Sequence, residues 1–571
     1  MEPVVLRAFA DADDVFLIWK APVLADCLGY AIGQQTRAPD GTVTQTVLPN
    51  RLCFQGDNAA PGSTSPSTQW PFQRYSWTDH SVDQGAQVRY CVTPMFGHGA
   101  GELAGDPARA SNWTDWITCS GSGDGSAQVF FNRGIIMSQF IAREVGSPPT
   151  LEGIRKFKAT LAGREDEFRL LLGGNILQQL KALLDEAISD TSIHLYAALY
   201  ELSDDELIAK LVQLKGRAHV VLANGSDKSG DGNQKGRDAI RNVVDLHDRM
   251  LASRGLGHNK FAVLEKGGKL YKLWTGSTNW AMTGLCTQVN NALLLQAQTA
   301  ADFQLLQEYR DQWDALVAAG DQFTPKLKSD NSNLRTAKDQ SWNLWLTPTN
   351  GHVDLQWVSD RIASAKKSIL FLMFEPGTGG LLQPVLKVKE DKPGLYVIGV
   401  INDEFVSQNQ GTGDARTTTK VDLIGADFRK QFPLAVFQPE GLDHPMANLV
   451  EEVTRQQFFG PSIQAPTVGH AAIHAKVMVI DAFTDAPTVI TGSHNFSKSA
   501  SEHNDENLLV IQGDKLLAQR YAVAINAVYE HFRFREYEHS GGGAIDGLAR
   551  DDSWQKAKQT QALALQQQFW M

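Results

Sequence analysis

The stretch HNKFAVLE at residues 258–265 is repeated, with changes, as HAKVMVID at residues 474–481. In both copies a glycine–serine turn begins 18 residues after the histidine, as GSTN at residues 276–279 and GSHN at residues 492–495. In both copies an asparagine that opens a further apolar run follows the histidine by 33 residues. Two anchors with equal offsets in one chain indicate an internal duplication whose copies share one site.

Each copy has the apolar runs and the intervening turn that are typical of neighbouring strands. Side chains two residues apart in a strand point to the same face, so each histidine lies beside the lysine of its own copy. An ammonium group binds phosphate oxygens, an imidazole attacks phosphorus or transfers a proton near neutral pH, and the turns add neutral donors. The sequence therefore predicts a phosphate site lined by these residues: His258, Lys260, Ser277, Asn279, His474, Lys476, Ser493 and Asn495.

This pattern resembles the phospholipase D superfamily, whose H-x-K-x4-D signature (the HKD motif) is followed by G-S-x-N and is usually present twice. The second copy matches throughout, including Asp481, whereas Glu265 replaces the aspartate in the first copy. Positions 265 and 481 have the opposite strand parity to the histidine and lysine, so they are expected to support the scaffold without touching phosphate. We therefore expect the glutamate to be tolerated.

Members of the family also place a carboxylate about thirty residues after each histidine, where it orients an imidazole. Here the corresponding positions are Asn290 and Glu506. An amide holds a ring by hydrogen bonding but does not stabilise an imidazolium by charge, so the two histidines are expected to titrate unequally. The alternative is that both are ordinary polar residues on half-exposed strands.

The resemblance implies a two-step mechanism that needs no metal ion and no cofactor. One histidine attacks phosphorus to form a phosphohistidine, and the other protonates the departing alkoxide and then activates water or an acceptor alcohol. Family precedent assigns attack to His258 and acid–base transfer to His474, although the sequence alone leaves their order open.

The expected fold class is α/β, with two pseudo-symmetric phospholipase D-like halves, each a mixed β-sheet flanked by helices, after a small all-β sandwich. Short β-rich runs in the N-terminal region resemble a fibronectin type III module. Strands at 193–200 and 369–374, each preceded by an amphipathic helix, open the two halves. The predicted domains are residues 1–120, 121–345 and 346–540, followed by a tail at 541–571 with one amphipathic helix.

A segment at residues 403–469 makes the second half longer than the first, and we interpret it as a lid or substrate-binding loop. Strand ends at Tyr200–Glu201 and Phe374–Glu375 place a carboxylate near the cleft, although an ordinary strand-end residue is the simpler interpretation.

Composition limits the class of protein. The hydrophobic share of 42% and charged share of 20% are those of a globular protein, and no apolar run approaches the ~18 residues of a membrane helix. Five cysteines without C-x-x-C spacing fit a reducing compartment, although one or two N-terminal disulfides are an alternative. No secretory signal is recognisable, so a cytoplasmic location or export without such a signal is expected.

Three functions remain open at this stage. The first is a phospholipase D-type phosphodiesterase of lipid degradation, which hydrolyses or transfers phosphatidyl esters. The second is a nuclease or other phosphodiester hydrolase, although the net charge of −11 weighs against tight nucleic-acid binding. The third, a catalytically degenerate binding protein, fits poorly because both histidines and both lysines are retained. Since both motifs lie in one chain, a monomer is expected.

Overall fold

The computed structural model describes residues 3–57, 59, 63–97, 103–134, 152, 156, 159–161, 163, 166–225, 230–251, 255–374, 376–377, 379–401, 405–408, 418–420, 436–437, 473–539 and 547–571. These residues form two compact units, one from residues 1–121, 519–527 and 537–571 and the other from residues 122–518 and 528–536. The first unit thus combines the predicted accessory domain with the predicted tail. Most of both predicted halves lies within the second unit, whereas residues 519–527 and 537–539, predicted to belong to the second half, lie in the first unit.

The N-terminal part of the first unit is all β, as predicted. One sheet has the order β1-β2-β7 and the other β10-β8-β3-β4, with β9 added on β8, and the pairings in both sheets are antiparallel. A buried core that includes Trp19, Tyr30 and Tyr90 lies within this unit. The resemblance to a fibronectin type III module has only this loose support. The strands are β1 Val5–Ala10, β2 Val15–Lys20, β3 Cys27–Arg37, β4 Val43–Val47, β5 Pro49–Asn50, β6 Ser65–Pro66, β7 Ser76–Asp79, β8 Gln87–Phe96, β9 Ala104–Gly105 and β10 Ile117–Thr118.

The second unit contains two large sheets with the same strand order. The first sheet runs β11-β17-β16-β15-β12-β13-β14 and the second runs β18-β19-β27-β26-β25-β20-β21-β24. β12 and β20, predicted to open the two halves, are preceded in their sheets by β11 and by β18 and β19. Each of the two pairs in parallel with the next strand (β13 or β21) and antiparallel with the motif strand (β15 or β25). The mixed sheets of a duplicated α/β fold are therefore confirmed.

The elements of the second unit follow in chain order, together with α9, whose residues are divided between the two units. The strands are β11 Ala127–Phe131, β12 Ile193–Leu199, β13 Ala218–Ala223, β14 Asp245–Arg249, β15 Lys260–Lys266, β16 Lys269–Gly276, β17 Asn291–Gln296, β18 Arg335–Thr336, β19 Trp342–Leu346, β20 Ser368–Met373, β21 Tyr396–Ile401, β22 Phe405–Gln408, β23 Thr418–Lys420, β24 Val436–Phe437, β25 Val477–Ile480, β26 Thr488–Gly492 and β27 Asn507–Gln512. The helices are α1 Glu167–Ser189, α2 Asp205–Leu214, α3 Gln234–Ile240, α4 Ala300–Ala319, α5 Pro325–Asn331, α6 Val353–Ser364, α7 Leu382–Asp391, α8 Lys498–His503 and α9 Lys515–His539, with a 3₁₀ turn at Lys215–Arg217 and a π turn at Thr283–Thr287.

Burial explains why the central strands are apolar along their whole length. Every residue of β20, SILFLM, and of β21, YVIGVI, is buried. Such continuous apolar runs are typical of strands covered on both faces, in contrast with the alternation of a half-exposed sheet. The predicted helices ahead of β12 and β20 are present as α1 and α6, and α1 has a break at Gly174 (φ 48°, ψ −143°).

The tail forms two helices, α10 Ser553–Lys558 and α11 Gln561–Trp570, where the sequence analysis predicted one. Thr560 has an extended backbone and its hydroxyl accepts a hydrogen bond from the amide of Leu563, so it caps α11 and ends helical continuity. The Trp554 indole donates to the carbonyl of Cys27, and the Trp570 ring contacts the Phe16 ring in a tilted arrangement with centroids 4.6 Å apart. The tail therefore packs against the β strands of its own unit.

Two further expectations concern cysteines and membrane helices. All five cysteines are free thiols, which excludes the alternative of N-terminal disulfides in this structure. Among the described helices, none combines the length and apolarity needed to cross a bilayer. The predicted insertion at 403–469 lies almost wholly outside the described residues.

Candidate active site

The two motif histidines lie at one site. His258 precedes β15 by two residues and His474 precedes β25 by three, and their ring centroids are 6.5 Å apart. Both imidazoles are almost completely buried, with 3% and 5% of each residue exposed. The structure therefore brings together the two histidines that the sequence spacing paired.

Contacts between the two halves decide which residue orients which imidazole. Leu256 pairs with Asn504 in a parallel bridge, which carries His258 alongside Glu506. A second parallel bridge, between Val289 and Ile473, brings the residues that follow them, Asn290 and His474, together. Each imidazole is consequently held by a residue of the opposite half, an arrangement that the sequence spacing leaves open.

The two orienting contacts differ in charge. Nδ1 of His258 lies 2.9 Å from Oε1 of Glu506, and Nδ1 of His474 lies 2.8 Å from Oδ1 of Asn290. Glu506 and Asn290 are both fully buried, which excludes the alternative that they are polar residues on half-exposed strands. One histidine thus faces a carboxylate and the other faces an amide oxygen.

Asn290 is fixed by three contacts. Its Oδ1 accepts from the Ser277 hydroxyl at 2.8 Å, its Nδ2 donates to the carbonyl of Gly284 at 2.8 Å, and its backbone amide donates to Asn132. Because Oδ1 is the acceptor, the proton of neutral His474 lies on Nδ1 and leaves the lone pair on Nε2. The Ser277 hydroxyl therefore donates to Asn290, whereas the sequence analysis predicted that it donates to phosphate.

The opposing carboxylate is also fixed. Oε1 of Glu506 accepts from Nδ2 of Asn504 at 2.8 Å, and Oε2 accepts from the backbone amide of Asn495 at 2.8 Å. The Ser493 hydroxyl accepts from the backbone amide of Asn507 at 3.0 Å, so this serine also holds the scaffold. Asn279 donates from Nδ2 to Glu201 at 2.8 Å, which brings the strand-end carboxylate into the site.

An aromatic ring supports the histidine and the lysine in each half. The Tyr200 ring lies 4.7 Å from the His258 ring and the Phe374 ring 4.8 Å from the His474 ring, both edge-on. In each half the motif lysine Nζ lies 4.7 Å from the centroid of the same aromatic ring. The sequence analysis noted these strand-end aromatics but gave them no role. Their recurrence directly after β12 and β20 is the feature of the sequence that could have identified them as site residues. Glu375 lies outside the described residues.

Burial sets the charge state of the site. Desolvation and the neighbouring Lys260 ammonium lower the pKa of His258 to about 4, against the opposing effect of Glu506. Desolvation, together with Lys476 and Lys260, lowers the pKa of His474 well below its usual value. Desolvation also lowers the pKa of Lys260 to about 7, while the two nearby carboxylates raise it.

The carboxylate of the site responds in the opposite way. Burial raises the pKa of Glu506, but His258 and the neighbouring donors lower it to about 2. Glu506 is therefore ionised at neutral pH beside a neutral imidazole. An anionic phosphodiester bound between the lysines would raise the pKa of His474 and so favour a second proton on its Nε2.

Steric constraints explain why each turn begins with glycine. Gly276 has φ 143° and Gly492 has φ 130°, which side chains rarely allow. A Cβ atom would lie 2.5 Å from the carbonyl oxygen of Asn291 in the first copy and 2.3 Å from that of Asn507 in the second. Only glycine lets the turn approach the neighbouring strand so closely.

The acidic residues that end the two motifs lie away from the imidazoles. Asp481 accepts hydrogen bonds from the backbone amides of residues 366–368, ahead of β20. It follows His474 by seven positions of mostly extended chain, roughly 20 Å. Glu265 is half-buried at a β-bulge between β15 and β16. Both positions thus belong to the scaffold around the site.

Comparison with known proteins gives one family match, within the second half of the chain. Residues 358–528 match the family model described as "Cardiolipin synthase, PLD-like domain". No curated protein matches this chain. Among the described residues, no cluster of three or more His, Cys, Asp or Glu side chains has the arrangement to hold a metal ion.

Three solved structures are among those similar to the chain. Phosphatidylserine synthase of Haemophilus influenzae Rd KW20 is 11% identical, with a TM-score of 0.37, over 63% of this chain and 84% of that one. Yeast tyrosyl-DNA phosphodiesterase is 12% identical, with a TM-score of 0.33, over 59% and 88%. The phospholipase D family member Nuc from Salmonella typhimurium is 21% identical, with a TM-score of 0.20, over 34% and 95%.

Proposed function

We propose, from the premise that residues 358–528 belong to the phospholipase D superfamily, that this protein is a phosphodiesterase acting on phosphatidyl esters. The observation that carries the proposal is the pair of buried imidazoles whose centroids are 6.5 Å apart, each beside the ammonium group of its own half. Two such groups can engage opposite sides of one phosphorus atom, as an in-line displacement requires.

The first step transfers the phosphatidyl group to the protein. Nε2 of His258 forms a bond to phosphorus while the bond from phosphorus to the leaving alkoxide oxygen breaks. The proton on Nε2 of His474 passes to that oxygen. Lys260 and Lys476 stabilise the charge on the non-bridging oxygens. Asn279 and Asn495 complete the set of polar residues around the same site.

The second step returns the protein to its starting state. Nε2 of His474 takes a proton from water or from an acceptor alcohol as that oxygen forms a bond to phosphorus. The bond between phosphorus and Nε2 of His258 breaks, and the imidazole leaves neutral. Water gives hydrolysis and an alcohol gives transfer.

The unequal partners of the two imidazoles support this assignment of roles. Phosphorylation makes the His258 ring cationic, and the Glu506 carboxylate at 2.9 Å stabilises that charge. The amide partner of His474 holds its ring without stabilising an added proton, so the ring releases the proton readily to an alkoxide. The substitution Asn290→Asp should raise the pKa of His474 and slow cleavage of an alkyl ester more than cleavage of a p-nitrophenyl ester. Equal slowing of both esters would contradict this assignment.

A phospholipid substrate is supported by the matching family model, whose description names cardiolipin synthase. The net charge of −11 also favours a lipid ester over a nucleic acid, which usually needs a basic surface. The chemistry itself serves any phosphodiester, so substrate class must be tested directly.

The experiment offers vesicles of phosphatidylcholine and phosphatidylglycerol, plasmid DNA and single-stranded DNA to the purified protein, with EDTA throughout. We expect head-group release from the vesicles, and loss of that activity in His258→Ala and His474→Ala. His219→Ala serves as the matched control, because His219 lies on the sheet at β13 and contacts Asp245. DNA nicking without head-group release would indicate a nuclease. The absence of both activities would overturn the proposal.

A further inference from the structure

A second buried histidine–carboxylate pair lies directly behind the site. His494, the variable residue of the second glycine–serine turn, has Nε2 3.1 Å from Oδ2 of Asp354, and both side chains are 0% exposed. The first copy has Thr278 at this position, where the hydroxyl donates to the carbonyl of Asn291 at 3.1 Å. The second half therefore carries an ionisable pair that the first half lacks.

Asp354 ties the pair to two helices. It lies in the first turn of α6, and its Oδ1 accepts from the hydroxyls of Thr349 at 2.8 Å and Ser501 at 2.5 Å. Ser501 belongs to α8. Oδ2 of Asp354 faces Nε2 of His494 at 3.1 Å as an ion pair, without the geometry of a hydrogen bond. His494 thus faces a carboxylate that contacts with two helices hold in place.

The ring also holds the turn that follows it. Nδ1 of His494 accepts from the backbone amide of Phe496 at 2.9 Å, so the proton of the neutral ring lies on Nε2 and faces Asp354. Phe496 has φ 58°, a left-handed conformation that costs a non-glycine residue about 1–2 kcal/mol. The contact with His494 keeps the chain in that conformation.

The same turn supplies a donor to the carboxylate of the site. The backbone amide of Asn495, between His494 and Phe496, donates to Oε2 of Glu506, whose Oε1 lies 2.9 Å from Nδ1 of His258. A displacement of this turn would therefore move or release Glu506. The contacts lead without interruption from Asp354 to the imidazole that attacks phosphorus.

We propose that His494 and Asp354 are positioning residues, which hold the turn at residues 493–496 so that Glu506 stays aligned on His258. The inference rests on the proposed function for its kinetic consequence and on the contacts above for its geometry. The charged groups that face His494 are Asp354 and Glu506. Burial lowers the pKa of His494, and these two carboxylates together raise it above its usual value.

The test compares two substitutions at one position. His494→Thr gives the second turn the residue of the first copy and removes both ring contacts. His494→Gln keeps an acceptor for Phe496 and a donor for Asp354, so it should rescue. With bis(p-nitrophenyl) phosphate, His494→Thr should lower kcat about 10- to 100-fold, the usual effect of a small misplacement, with KM changed less than about threefold. His494→Gln should stay within about fivefold of the wild type.

A second measurement reports on geometry without turnover. In protein labelled with ¹⁵N-histidine, the Nδ1 signal of His258 should show the shift that the Glu506 carboxylate, 2.9 Å away, induces in the wild type, and it should lose that shift in His494→Thr. Asp354→Asn, which keeps the shape of the side chain, should weaken the same signal and serves if His494→Thr fails to fold. His219→Thr, the same change in the pair that His219 makes with Asp245 on the sheet, should leave both readouts unchanged.

The outcomes separate the two proposals. If the wild type is inactive but its His258 signal is intact and is lost in His494→Thr, the proposed function is overturned and the positioning role is supported. Wild-type kcat and an unchanged His258 signal in His494→Thr would overturn the positioning role. Equal losses of kcat in His494→Thr and His494→Gln would also overturn it, because the rescue depends on the two contacts.

Discussion

Replacing Glu506 by glutamine removes one charge from the site and leaves its volume almost unchanged. The carboxylate lies 2.9 Å from Nδ1 of His258 and also accepts from Asn504 and Asn495. Two opposite charges about 4 Å apart attract by about 4 kcal/mol at the effective dielectric constant of 20 that suits protein sites. An opposite charge at such a distance usually shifts a pKa by about 1–3 units, which corresponds to about 1.4–4 kcal/mol.

This energy is available only when His258 is cationic, as it is once the bond to phosphorus has formed. We therefore expect Glu506→Gln to slow formation of the phosphohistidine about 10- to 1,000-fold. The pKa of His258, already about 4, should fall further because Glu506 raises it. Glutamine also offers one acceptor oxygen where three donors converge, which should cost about 1–3 kcal/mol of stability.

The assay is rapid-quench measurement of the first turnover on bis(p-nitrophenyl) phosphate. Its leaving group departs without a proton, so the assay isolates attack by His258 from proton donation by His474. Glu502→Gln is the matched control, because Glu502 lies four residues earlier and is 46% exposed. A first-turnover rate for Glu506→Gln within threefold of the wild type would refute the reasoning.

Three further outcomes follow from the same contacts. The pKa of His258 is about 4 in the folded chain and about 6.5 when unfolded, so the unfolded chain binds the extra proton between these values. The free energy of unfolding should therefore fall by roughly 3 kcal/mol as pH decreases from about 6.5 to about 4, and denaturant titrations should show less of this loss in His258→Asn. Asp481→Asn should lower stability by about 1–3 kcal/mol, because it weakens hydrogen bonds to three backbone amides, but it should leave kcat unchanged. Glu265→Asp should change neither stability nor kcat, and an inactive Glu265→Asp would contradict the scaffold role. Binding of inorganic vanadate near pH 8 should take up protons, since the pKa of Lys260 is about 7 and an anion raises it; calorimetry in buffers of different ionisation enthalpy that found no uptake would contradict this.

Much of the fold was predictable from local pattern. The apolar runs that became β12, β15, β20 and β25 are buried along nearly their whole length, so their hydrophobicity identified them without any knowledge of their neighbours. The tail was predicted less well. A continuous amphipathic pattern did not reveal that the Thr560 hydroxyl starts a new helix, because capping depends on one side chain and not on periodicity.

The serines of the two turns show a limit of argument from residue type. A hydroxyl beside a phosphate site has several partners within reach, and spacing does not choose among them. Ser277 donates to Asn290, a residue that itself holds an imidazole, so its effect on the site is indirect. The aromatic supports Tyr200 and Phe374 were visible at the strand ends, but only packing showed that each touches both a histidine and a lysine.

The sequence by itself determined which side chains the duplicated motif supplies, because both copies carry a histidine, a lysine and an asparagine at equal offsets. It also determined that one histidine would have a carboxylate partner and the other an amide. Tertiary structure alone decided that Glu506 reaches His258 and Asn290 reaches His474. The reason is that equal spacing within each copy says nothing about register between copies, which the bridges from Leu256 to Asn504 and from Val289 to Ile473 set.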